Sequence, residues 1–293
     1  MLTIAVTGAT GAQGGATARA LLDRGHHVRA LTRFPDSPAA EQLRALGAEI
    51  RRADFDDRAS LDAAFAGADS LFAVTTPFDT DTTVEVRHGE NLVEAAVAAH
   101  LGHLVFTSVA HADRETGVPH YESKFAIERR LSASGVPWTV IAPAAFMDNY
   151  ATGWTLDGLR EQTFSWPMPA EQPLTLISAT DIGAFAALAL DRRAEFAGRR
   201  IDIAADELTP AQIAATLAAA IDAPIAHREV PLAYVRSRST DLAAMFEYFS
   251  TVGLDVDVAG LRRDYPEIAW HSFADWASAQ DWPALLAAAP AAH

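Results

Sequence analysis

The chain has 293 residues, half of them apolar, a formal net charge of −15 and no cysteine. That length and apolar content suffice for a sizeable core in one large domain or two, and the missing cysteines exclude disulfides, thiolate metal sites and cysteine nucleophiles. Acidic charge without a basic block argues against direct nucleic-acid binding, and no apolar run reaches the roughly 18 residues of a membrane span. With no basic lead and apolar segment at the N-terminus, the expected location is the cytoplasm.

The first element is a short apolar strand, Leu2 to Val6, followed by VTGATGAQGG and then ATARALLDRG, which has helical spacing at Ala16, Ala20, Leu21 and Leu22. Strand, glycine turn, helix is the order that suits a nucleotide phosphate. Gly8, Gly11 and Gly14 are spaced so that one permits the tight turn, one the approach of backbone to pyrophosphate, and one the packing of helix on strand. The helix N-terminus adds free N–H groups and partial positive charge. Glycines also serve purely steric turns, so it is the repeated strand and helix pattern downstream that gives this triplet weight.

The second strand runs from His27 into Thr32-Arg33. In dinucleotide folds the position about 20 residues beyond the glycines carries an acid for the ribose 2′-hydroxyl, or an arginine for the extra phosphate of NADP. Arg33 stands there and no acid lies between Asp23 and Asp36, which favours NADP(H); the alternative is an arginine that merely opens a solvated loop. The third strand, Ala48 to Arg52, leads into Asp54-Phe55, a carboxylate and an aromatic ring suited to flank adenine, although Asp56 to Ser60 equally suits helix capping. After a helix from Ser60 to Phe65, a fourth strand, Ser70 to Val74, ends at Thr75-Thr76-Pro77-Phe78.

A long helix, Val84 to Ala99, precedes the fifth strand, His103 to Thr107; a helix from Tyr121 to Ser134 precedes the sixth, Pro137 to Ile141. Five βα repeats predict an α/β fold with a doubly wound parallel sheet, a Rossmann domain over residues 1–150. From Ala151 the rhythm loosens into a segment rich in aromatic residues and proline, and residues 151–293 read as a smaller, mostly helical substrate or partner lobe. The boundary is soft, since strands near Ile177 and Ile201 can return to the main sheet. Thr180-Asp181 reads as the cap of an apolar helix, and Thr209-Pro210-Ala211-Gln212 as a capping box.

Among the 23 basic residues a single lysine, Lys124, stands against arginine everywhere else. A lone lysine in an arginine-using chain hints at a place that needs a compact ammonium, or at chance.

GATGAQGG, Thr32-Arg33, ADFDD, VTTP, PHYESKFAIERRL and SGVPWTVIAPAAFMDN together resemble the NmrA-like branch of the atypical short-chain dehydrogenases, over most of the chain. The resemblance implies an NADP-binding Rossmann domain. It implies that Gly8, Ala9, Thr10, Gly11, Ala12, Gln13 and Gly14 cradle the pyrophosphate, Arg33 the 2′-phosphate, and Asp54 and Phe55 the adenine. Thr75, Thr76 and Pro77 would follow the nicotinamide-side ribose, Lys124 would meet ribose or nicotinamide, and Phe146 and Asn149 would lie over the nicotinamide; Arg87 is a weaker contact. No metal is implied. Some family members are NADPH-dependent reductases of quinones or related acceptors, and others bind NADP to report redox state to a protein partner.

Ordinary short-chain dehydrogenases set a tyrosine four residues before the lysine, on one helix face. Here Tyr121 is three before Lys124, about 100° around the helix from the usual tyrosine position. The residue four before is His120, an imidazole able to pass a proton near neutral pH, or a histidine at helix entry after Pro119. The two readings of function are an NADPH-dependent reductase of a small apolar quinone or carbonyl, and a non-catalytic NADP(H) sensor acting through a protein partner.

Overall fold

In the computed structural model, residues 1–78 and 80–287 are described. Alternation of short apolar runs with amphipathic segments builds β1 (Thr3–Val6), α1 (Ala12–Asp23), β2 (His27–Thr32), α2 (Pro38–Ala45), β3 (Glu49–Arg52) and α3 (Arg58–Phe65). It continues through β4 (Ser70–Ala73), α4 (Thr82–Ala98), β5 (Leu104–Thr107), α5 (Pro119–Ser132) and β6 (Trp138–Pro143). A further strand, Arg199–Ile203, completes a seven-stranded sheet in the order Arg199–Ile203, β6, β5, β4, β1, β2, β3. The pairs β1/β2, β2/β3, β1/β4, β4/β5 and β5/β6 are all parallel.

Every residue of β4 and β5 is buried, as expected for central strands covered by helices on both faces. On one face Phe65, Leu71, Leu92, Phe106, Ile127 and Leu131 belong to one core cluster. The alternate residues Ile4, Val6, Phe72 and Val105, which point to the opposite face, are equally buried. Gly89 lets α4 and α5 meet, since a Cβ there would overlap the Ile127 side chain.

The chain divides into two units. The first contains Met1–Glu115, Pro119–Ala142 and Ile182–Asp202; the second contains Thr116–Val118, Pro143–Asp181 and the chain from Ile203 on. The division thus falls at Ala142/Pro143 rather than after residue 150. The strand near Ile201 lies in the main sheet, whereas Leu174–Ile177 pairs with Asp206–Leu208 and Ala145–Phe146 in a separate three-stranded sheet. A parallel pair, Thr163–Trp166 with Ala226–Glu229, and helices such as Pro210–Ile221 and Thr240–Thr251 complete the second unit. Thr209 and Gln212 form the capping box of Pro210–Ile221. Asp181 does not cap its helix: its backbone N–H donates to Ser178 Oγ, and its carboxylate is 2.6 Å from His271 Nδ1. Among the described residues no helix is long and apolar enough to cross a membrane.

At the amino end of β5, His103 is buried with Nε2 2.9 Å from Thr139 Oγ1, whose own proton goes to the Phe196 carbonyl at 2.8 Å. The hydroxyl therefore accepts from His103, so Nε2 carries the proton. Burial, helped by Arg193, pushes its pKa down to about 4. A depressed histidine pKa means that the unfolded chain binds the proton first. Stability is full above the unfolded value of about 6.5 and falls as pH drops from there toward about 4. His103→Gln, which donates without titrating, is expected to flatten that part of a melting-temperature against pH curve.

Candidate functional site

The carboxyl ends of β1 to β5 meet along one edge of the sheet, and strand order reverses between β1 and β4, the place where open α/β sheets bind ligands. Thr7 ties these two strands together: its hydroxyl accepts from Val74 N–H at 2.8 Å and lies 3.2 Å from the Val74 carbonyl. Gly8 takes a φ of 57°, the left-handed conformation that a side chain disfavours, and its carbonyl accepts from Gly11 N–H at 2.9 Å. Gly14 is buried where a Cβ would overlap the Gly8 and Thr7 backbone. It is therefore the glycine of helix–strand packing, whereas a Cβ on Gly11 would make only an ordinary contact, 3.4 Å from the Gly8 oxygen.

Gly11 is also the N-cap residue of α1, and no side chain caps that helix, whereas Ser37, Asp57 and Asp81 cap α2, α3 and α4. Gly8, Thr10, Gly11 and Ala12 are exposed and Gln13 half-exposed, while Ala9 is buried. Gln13 Oε1 accepts from Thr107 Oγ1 at 2.6 Å, which joins the turn to the end of β5. An exposed backbone turn with an uncapped helix start leaves backbone N–H groups and a helix dipole able to meet an anion.

Arg33 follows β2 and is exposed, its guanidinium 5.6 Å from the centroid of the Phe34 ring. Beyond β3, Asp54 spends Oδ1 on the Asp56 N–H at 3.1 Å, and its backbone N–H donates to Ser60 Oγ at 2.9 Å. Asp57 supplies the α3 cap. The half-buried Phe55 packs on the core, its ring 5.4 Å from that of His88. Arg87 forms an ion pair with Asp56 at 2.7 Å, which accounts for it without a ligand.

At the end of β4, Thr75 is buried, Thr76 exposed and Pro77 buried. Lys124, 8% exposed on α5, reaches them: Nζ lies 2.5 Å from the Thr75 carbonyl, 3.1 Å from Thr75 Oγ1 and 2.8 Å from Glu85 Oε1. Glu85, on the first turn of α4, is fully buried. Its Oε1 also accepts from Thr75 Oγ1 at 2.9 Å and its Oε2 from Ser123 Oγ at 2.5 Å. In sequence Glu85 is like any acid in a first helical turn; its burial and partners arise from α4–α5 packing.

His120 is buried between two rings, 5.5 Å from that of Phe78, which is 67% exposed, and 4.8 Å from that of Tyr121. Ser108 donates to Glu128, which is held by Arg200 Nε at 2.9 Å. Burial pushes the Glu128 carboxyl above its usual range, against the pull of that guanidinium.

Phe146 and Asn149 belong to the second unit, Phe146 half-buried at the end of a two-residue strand and Asn149 exposed in the turn Met147–Ala151. The same unit holds a stack of rings. Trp154, 44% exposed, lies parallel to Trp166 with centroids 5.2 Å apart, and Trp166 stacks on Phe164 at 5.5 Å. Among the described residues no three of His, Asp or Glu gather as metal ligands.

The sequence profile of the NmrA-like family matches residues 2–277. The chain belongs to the NmrA-like family. It is 35% identical over 191 residues to a (4-alkanoyl-5-oxo-2,5-dihydrofuran-3-yl)methyl phosphate reductase of Streptomyces griseus, a match covering 64% of this chain and 62% of that protein. The chain thus spans less than two thirds of that relative's length. It is 27% identical over 289 residues to the NAD(P)H azoreductase of Xenophilus azovorans, covering 94% of this chain and 97% of that one. A crystal structure of NmrA, a negative transcriptional regulator, in complex with NAD superposes with a TM-score of 0.80 at 23% identity, covering 97% and 96% of the two chains. That likeness establishes the NmrA-like fold for this chain.

Proposed function

We propose that this chain is an NADPH-dependent reductase of a small, flat, apolar quinone or carbonyl. The observation that carries the reading is the uncapped start of α1 over the exposed Gly8–Gln13 turn, with Arg33 at the neighbouring strand end. Backbone N–H groups and a helix dipole suit a pyrophosphate, and an arginine fork suits a phosphate monoester. NADPH, when bound, supplies a hydride. The chain's part is to hold the dinucleotide along the ends of β1 to β4, with Lys124 and Thr75 beneath its nicotinamide half, and to offer rings to an apolar acceptor. The reductase names of the Streptomyces and Xenophilus relatives support the reaction class.

The test is NADPH oxidation followed at its absorbance band against a panel of quinones, azo compounds, conjugated carbonyls and aldehydes. At least one class is expected to raise oxidation well above background, and Lys124→Ala to lower it by roughly a hundredfold, the scale of a lost positioning contact. Tight NADPH binding with no accelerated oxidation overturns the reductase reading.

The second reading, a redox sensor acting through a protein partner, is favoured by two features. The usual tyrosine position holds His120, and all three ammonium protons of Lys124 face acceptors of the chain itself. A sensor retains NADP(H) without turnover and captures its partner to different extents with and without dinucleotide; equal capture counts against it.

A further inference from the structure

We propose that Glu85 is a positioning residue of the dinucleotide site, and that Glu85, Lys124 and Thr75 work as one buried unit that sets the Thr75–Pro77 turn. The proposal rests on the NADPH-dependent reading above. An ammonium has three protons, and here each has an acceptor: the Thr75 carbonyl, Thr75 Oγ1 and Glu85 Oε1. Thr75 Oγ1 passes its own proton to Glu85 Oε1, so the same threonine is bound by both charges. Lys124 in this arrangement grips the first residue of the turn instead of reaching outward. Glu85 makes that grip possible, because an ammonium 8% exposed and 5.5 Å from the Phe106 ring would otherwise be a buried charge without a counter-ion.

The other groups around the pair leave this assignment to Glu85. Ser123 closes Oε2 from α5 and is neutral. On α5, His120 lies one turn before Lys124 against Phe78 and Tyr121, and Glu128 one turn after is committed to Arg200 and Ser108. Glu85 comes from α4, thirty-nine residues earlier, and reaches Lys124 because Gly89 allows the two helices to close. The turn they set follows β4 at the switch point of the sheet, beside the Thr7–Val74 link to the glycine turn.

The test is a double-mutant cycle of Glu85→Gln, Lys124→Met and the two together, with melting temperature, NADPH affinity by calorimetry and, where the wild type turns over, kcat. Each single variant leaves one charge buried and unpaired, and is expected to melt lower by roughly 5 °C or more. The double variant, with no charge left, is expected to recover most of that loss. NADPH affinity should fall about tenfold in either single variant and stay that low in the double, and kcat should fall in the same pattern. Affinity that recovers together with melting temperature makes the pair purely structural and overturns the proposal. So do unchanged affinity in Glu85→Gln, or losses that add in the double. A wild type that binds NADPH without turnover removes the reductase reading alone, because the binding cycle still decides the role of Glu85; a wild type that does not bind NADPH removes both.

Discussion

Replacing Arg33 with alanine is expected to weaken NADPH binding by about 10- to 100-fold and to leave NADH within about twofold, the difference being one charge-assisted phosphate contact. Only the 2′-phosphate distinguishes the two dinucleotides, and Arg33 is an exposed cation at the end of β2, where dinucleotide folds in general receive that phosphate. The Phe34 ring, 5.6 Å from the guanidinium, gives the flat cation a face to lie on, which limits the rotamers lost on binding. Arg33→Lys keeps the charge but not the planar fork and should fall between alanine and wild type. The NADPH preference should also shrink with added salt, as an exposed ion contact is screened within about 10 Å at 0.1 M. Calorimetric titration of both dinucleotides checks this, and equal losses for NADPH and NADH would remove Arg33 from the 2′-phosphate.

What the sequence disclosed and what it withheld divide along a physical line. β1, the glycine turn and α1 are contiguous, so apolar period and glycine spacing expose them directly; the same holds for the place of Arg33 at the end of β2. Lys124 stood out by composition and by its place in PHYESKFAIERRL. Glu85 did not, because its burial depends on Gly89 meeting Ile127 across two helices, a contact between residues thirty-eight positions apart. Asp181 misleads for a related reason: Thr-Asp before an apolar run matches a capping signature, yet Ser178 takes the cap and the Asp181 carboxylate turns to His271, ninety residues on. The strand at Leu174–Ile177 has the look of a buried sheet strand, and only its partners show that it serves a different sheet from Arg199–Ile203. Local chemistry was legible; long-range pairing was not.

Gly14→Ala is expected to destabilise the fold by about 3 kcal/mol or more, the upper end for overpacking. The added methyl would fall on the carbonyl of Gly8 and the oxygen of Thr7, backbone atoms that cannot rotate away as a side chain would. Relief requires moving α1 off β1, and that motion also pulls the uncapped helix start away from the turn, so NADPH affinity should fall together with a melting temperature lowered by roughly 5–10 °C. Gly11→Ala separates the two effects. Its backbone, φ −97° and ψ −178°, is open to alanine, and its Cβ would stand 3.4 Å from the Gly8 oxygen, an ordinary contact. That variant should melt within about 2–3 °C of wild type, the scale of a weakened cap, while its methyl stands between the exposed turn and a phosphate and reduces NADPH affinity. Thermal melts and dinucleotide titration on both variants decide the matter: a Gly14→Ala protein as stable as wild type would mean the helix does not depend on that close approach, and a Gly11→Ala protein with full affinity would mean the pyrophosphate does not lie against the turn.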